Sequence, residues 1–107
     1  MSPAETLPDD RADDDRRALL DAFLSLEDRG QAERFLRDLC TRRELEEMTS
    51  RWAVVRLLAQ GLPYRVIRER TGVSTATITR INDWLHHGTG GYRETLGRLG
   101  LAEEPEA

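Results

Sequence analysis

The sequence predicts an all-α fold of six helices. Three observations carry that expectation. Apolar residues recur at helical spacing through most of residues 13–100, no stretch shows the alternation of a half-buried strand, and glycine, proline and small hydroxyl residues punctuate the pattern where helices should stop and start. At 107 residues there is room for one small domain with tails. Residues 1–12, with two prolines and several acids, read as a disordered acidic arm. Residues 13–100 read as the helical domain and 101–107 as an acidic tail.

The first helix is expected near 13–28, where Leu19, Leu20, Phe23, Leu24 and Leu26 form an apolar stripe, and Gly30 is a plausible stop after it. Ala32, Phe35, Leu36, Leu39 and Cys40 follow at i, i+3, i+4, i+7 and i+8, the pattern of a core-facing second helix. Thr41-Arg-Arg-Glu44 has the spacing of a capping box and should open a long third helix reaching about Gln60. Leu45, Met48, Trp52, Val55 and Ala59 run along it, and Val54, Leu57 and Leu58 widen its apolar surface. A helix so apolar on more than one side needs several neighbours or a second chain.

Gly61 should end the third helix, and Pro63 suits the first turn of the next, where its missing amide proton does no harm. That fourth helix is short, to about Thr71, with Val66 and Ile67 inward. Gly72 fits a left-handed turn position and Ser74 an N-cap. The fifth helix runs from Thr75 to about His87, with Ile78, Ile81 and Leu85 inward, and Gly88, Gly90 and Gly91 break it. A last helix near Tyr92–Leu99 closes the domain.

The net charge of −4 is unevenly distributed. Residues 1–50 hold 14 acids and 8 arginines, whereas residues 51–98 hold 3 acids and 8 arginines. The second half is therefore basic, and local charge governs attraction to phosphate. All 16 basic residues are arginine, a bias that a GC-rich genome would also produce. The single cysteine, Cys40, excludes an internal disulfide and a cysteine-rich zinc site. No apolar run approaches the ~20 residues of a membrane span. The opening Met1-Ser-Pro-Ala-Glu lacks the layout of a signal peptide, which points to the cytoplasm.

Residues 63–87 carry the functional signal. Two helices about a glycine turn, the second exposing small hydroxyl residues and an arginine at its start, have the build of a helix-turn-helix. The inward anchors Ile67, Ile78 and Ile81 leave Ser74, Thr75, Ala76, Thr77, Thr79 and Arg80 as the early recognition surface. Threonine can hydrogen-bond a base or touch a thymine methyl, and arginine can pair with guanine. Arg65, Arg68 and Arg70 on the bracing helix are placed to meet phosphates. The alternative is an ordinary helical hairpin with a solvated arginine face. The polar start of the second helix favours DNA, because bundle helices more often put Glu and Lys there.

From Thr41 to about Trp84 the chain resembles the Trp repressor superfamily, and within it the Trp-repressor-related YerC/YecD branch. Thr41-Arg-Arg-Glu44, the Ser50-Arg51 pair, the Gly72 turn and above all Ala76-Thr77-Ile78-Thr79-Arg80 carry the resemblance. It implies an intertwined homodimer whose two helix-turn-helix heads read double-stranded DNA at half-sites ~34 Å apart. It would make Trp52 a core or dimer contact. The resemblance also implies an effector pocket at Thr41, Arg51, Arg80 and Trp84, where two arginines would flank a tryptophan ligand. Trp84 departs from the family's small serine and is large enough to block that pocket or fill it, so free L-tryptophan is not expected as corepressor. Another small-molecule effector is possible. Arg51 could instead be structural, paired with Glu47 or Glu44. The adjacent His86 and His87 lack metal-pair spacing and suit the end of a helix or a phosphate contact.

The expected function is a dimeric, sequence-specific transcriptional regulator, a repressor by family resemblance. The competing class is a dimeric helical adaptor without DNA binding. An enzyme is disfavoured, since the chain has no Gly-rich phosphate loop, no metal-ligand spacing and no nucleophile–base pair. No cofactor or metal is called for.

Overall fold

The structure, a computed structural model, describes residues 8–101, with backbone alone for 8–10. Residues 1–7 of the expected arm and 102–107 of the expected tail lie outside the described residues. Among those described there are six helices and no strand. None of the helices is long and apolar enough to cross a membrane. The chain divides into two compact units, Met1–Thr41 and Arg42–Ala107.

The first unit holds α1 (Pro8–Leu24) and α2 (Arg29–Leu39). The first helix starts and ends about four residues earlier than its apolar stripe suggested. Pro8 can open a helix without losing an intrahelical bond. Downstream, Asp28 claims the next N-terminus: it is extended (φ −146°) and accepts the amide of Gln31 at 2.8 Å, while Gln31 Oε1 accepts the amide of Glu27 at 3.0 Å. Gly30 consequently lies inside α2 and is not a stop. Phe23 meets Phe35 edge-on, ring centroids 5.5 Å apart. No described residue of this unit is buried, and Leu24 is 84% exposed.

The second unit holds α3 (Arg42–Ala59), α4 (Tyr64–Thr71), α5 (Thr75–His87) and α6 (Gly91–Arg98). Thr41 immediately precedes α3, at the position expected of a cap. The core is Val54, Val55 and Ala59 from α3, Ile67 from α4, Ile78, Ile81 and Leu85 from α5, and Leu96 from α6. Trp52, Leu57, Leu58, Leu62, Tyr64, Val73 and Tyr92 pack around it. At ~1.5–3 kcal/mol for each fully buried aliphatic side chain, this cluster holds α4 and α5 against α3.

Candidate nucleic-acid interface

The site is built on the turn between α4 and α5. Gly72 caps α4 in the left-handed region, φ +73°, and its amide donates to the Arg68 carbonyl at 2.9 Å. Residues with a Cβ adopt that conformation at a cost. Thr71 closes the turn from the other side: its hydroxyl donates to the Ile67 carbonyl at 2.8 Å and accepts the Val73 amide at 3.1 Å. Two residues on, Ser74 is extended and caps α5, accepting the Thr77 amide at 3.2 Å and donating to Thr77 Oγ1 at 3.0 Å.

Burial of Ile67, Ile78, Ile81 and Leu85 fixes which face of each helix points out. Ser74, Thr75, Ala76, Thr79 and Arg80 are exposed, and Thr77 is half-buried beside its cap. Ala76, Thr79, Arg80, Asp83 and His87 follow one another at steps of one, three or four, so the exposed surface continues to the end of α5. The hydroxyl of Thr79 donates to the Thr75 carbonyl at 2.9 Å.

Residues 63–82 carry four arginines and one glutamate, a local excess of positive charge. Arg65 pairs with that glutamate, Glu69, at 3.7 Å, with both side chains largely in solvent. Arg68, Arg70 and Arg80 form no ion pair among the described residues. Beyond them, Asp83 pairs with His87 at 3.1 Å, and Arg93 Nη2 lies 3.1 Å from His86 Nδ1. The histidines occupy the last turn of α5, and no group of metal-ligating side chains occurs among the described residues.

Of the residues expected at an effector pocket, Arg51 and Trp84 line different spaces within the second unit. Thr41 is exposed and belongs to the first unit. Arg51 is exposed and lines a polar cleft of about 470 Å³ with Arg43, Glu47, Gly72, Val73 and Thr77. Its expected structural partner Glu47 pairs with Arg43 at 3.5 Å, and Arg51 makes no ion pair among the described residues. Trp84, 53% exposed, lines a separate cavity of about 950 Å³ with Trp52, Tyr92 and residues 88–91. Arg80 lines neither of these two spaces.

Sequence reasoning missed the aromatic wall of that second cavity, where Trp52 and Tyr92 stand 6.4 Å apart between ring centroids. Nothing local links residues forty positions apart. The i, i+4 spacing of Arg65 with Glu69 and of Asp83 with His87 was a readable signal for both contacts.

The family model for the Trp repressor protein matches residues 15–100. Protein YerC of Bacillus subtilis is 40% identical over 81 residues, covering 76% of this chain and 78% of its own. A Trp operon repressor homolog of Chlamydia trachomatis is 38% identical over 80 residues, covering 70% and 85%. Among solved structures, a TrpR-like protein from Eubacterium eligens superposes with a TM-score of 0.77 at 40% identity, covering 82% of this chain and 91% of that one.

Proposed function

Because the chain belongs to the Trp repressor family, we propose that it is a sequence-specific DNA-binding transcriptional regulator, a repressor, that acts as a homodimer in the cytoplasm. The carrying observation is the α4–turn–α5 unit, read as a helix-turn-helix. Its anchors are buried, its turn is capped on both sides, and the outward face at the start of its second helix carries Thr75, Ala76, Thr79 and Arg80, all exposed. Thr75, Ala76, Thr77, Thr79 and Arg80 face bases, with Ser74 at the helix entry. Arg65 and Arg68 hold phosphates. The protein regulates and does not catalyse.

The exposed apolar stripe of the first unit supports the dimer. Leu19, Leu20, Phe23, Leu24 and Leu39 remain partly or largely exposed in the single chain, and a partner covering them would gain ~25 cal/mol for each Å² of apolar surface still open to water. Two chains then present two heads to half-sites ~34 Å apart.

Free L-tryptophan is not the corepressor in this reading. Trp84, where the family has a small serine, is large enough to block or fill the expected pocket, and Arg51 and Trp84 line different cavities. Calorimetric titration is expected to give no saturable heat with L-tryptophan; micromolar saturable binding would refute this part.

The deciding experiment is selection of bound sequences from random DNA by the full chain, followed by gel shift across a salt series. A recurrent two-fold motif with steeply salt-dependent affinity is the expected result. No selected motif and no salt-sensitive binding would favour the adaptor.

A further inference from the structure

Both tryptophans of the chain and one of its two tyrosines meet at the cavity of about 950 Å³ beside the C-terminal end of α5. Trp52, Trp84 and Tyr92 line it together with His87, Thr89 and Thr95. Trp52 and Tyr92 are half-buried against the apolar cluster, their ring centroids 6.4 Å apart and their planes tilted by 42°. Trp84 leaves 53% of its surface open. A space of this size suits a ligand larger than an amino acid, and three aromatic rings are a large share of its wall.

The charges at the margin decide what such a wall can hold. No arginine lines the cavity, although the chain has 16 basic residues, and neither Arg51 nor Arg80 is among its walls. Arg93, next to Tyr92, turns its guanidinium to His86, with Nη2 3.1 Å from Nδ1. Carboxylates stand nearby instead. Glu94 Oε1 lies 4.0 Å from the place a Cβ on Gly90 would take, and Asp83 holds His87 Nδ1 at 3.1 Å. A ligand carboxylate therefore finds no cation here. A primary ammonium would bring three N–H donors, and no carboxylate lines the cavity to accept them. A permanently charged nitrogen without N–H groups has nothing to satisfy, and the faces of indole and phenol attract it, indole most strongly. We propose that this cavity binds a bulky aromatic cation of permanent charge, an N-alkylated heteroaromatic ring, seated against Trp52, Trp84 and Tyr92. Glu94 at the rim adds a longer-range attraction of the same sign.

The test uses the full chain without DNA, so its outcome is independent of the regulator reading. N-methylquinolinium, its neutral parent quinoline and the anion quinaldate share one ring system and differ in charge. Calorimetric titration should give saturable binding of the cation, about tenfold weaker binding of quinoline, as for one desolvated cation–π contact, and none of quinaldate. The two indole N–H signals in a proton–nitrogen NMR spectrum, one from each tryptophan, should move along the same curve as the heat. Trp84→Leu keeps an apolar side chain and removes the π face. It should bring the cation down to the affinity of quinoline, and Trp84→Phe should keep part of the preference. Trp84 is more than half exposed, so both variants should fold, which thermal denaturation checks. Glu94→Gln should weaken the cation at low salt and leave it unchanged at high salt. Equal affinity for cation and quinoline, or a Trp84→Leu protein that still prefers the cation, would overturn the proposal. So would absence of binding by all three, the result expected if a second copy of the chain already covers the cavity.

Discussion

The carbonyl of Trp84 accepts the amide of Gly88 at 2.9 Å and also fills the space that a Cβ on Gly88 would need. The last turn of α5 is thus closed against backbone, which cannot swing aside as a flexible side chain could. Gly88→Ala should therefore cost ~1–3 kcal/mol, the range for locally strained backbone. Gly72→Ala should also destabilise, through its positive φ and not through a clash, since nothing lies within 4 Å of its would-be Cβ. The two mechanisms separate with asparagine, which tolerates the left-handed region. Gly72→Asn should recover much of the lost melting temperature and Gly88→Asn none. Thermal denaturation at fixed protein concentration measures all four.

Arg80 and Arg68 differ in what their loss should remove. Arg80→Ala is expected to abolish preference for the selected site while leaving non-specific binding largely in place. Arg68→Ala should weaken specific and non-specific binding alike and lower the slope of log K against log salt by about 1. Titrations on selected and scrambled duplexes at several salt concentrations distinguish them. Equal loss of both kinds of binding in the Arg80 variant would contradict its assignment to a base.

Glu69 should act as a brake on DNA binding. It pairs with Arg65 at 3.7 Å on the exposed face of α4, so Arg65 must leave it to reach a phosphate. Exposed pairs of this kind are weak, which keeps the exchange cheap. Glu69→Gln removes the competing charge and should tighten binding several-fold at low salt, with the gain fading as salt rises. Unchanged affinity at low salt would place Arg65 away from the backbone.

Self-association should depend on the stripe of the first unit. Leu20→Glu with Leu24→Glu is expected to shift the protein to monomer in sedimentation equilibrium, and to remove the concentration dependence of the wild-type melting temperature. Both positions are already exposed in the single chain, so the fold of the second unit should persist, visible as retained helical signal.

Much of the second unit was legible in the sequence because its determinants are local. Gly72 and Ser74 are dictated by backbone stereochemistry within four residues. Ile78, Ile81 and Leu85 mark one face of one helix, and all three are buried. The first helix was harder. The acidic run after Pro8 reads by composition as an arm, and the end of α1 depends on which residue wins the next N-cap, a contest that Asp28 wins over Gly30. The candidate site was legible as a surface but not as a cavity. Whether Arg51 and Trp84 share a space depends on how α3 packs against α5, and no spacing of 33 positions encodes that.

Every fully buried side chain among the described residues comes from 54–96, whereas the apolar stripe that would join two copies comes from the other unit. In the proposed dimer, substitutions in that stripe would alter how tightly two copies hold each other while leaving every residue of the buried cluster that aims α5 unchanged. On the proposed function, the grip between copies and the wording of the DNA site would therefore drift separately under selection. A lineage could then retune the concentration at which such a regulator acts and still recognise the same site.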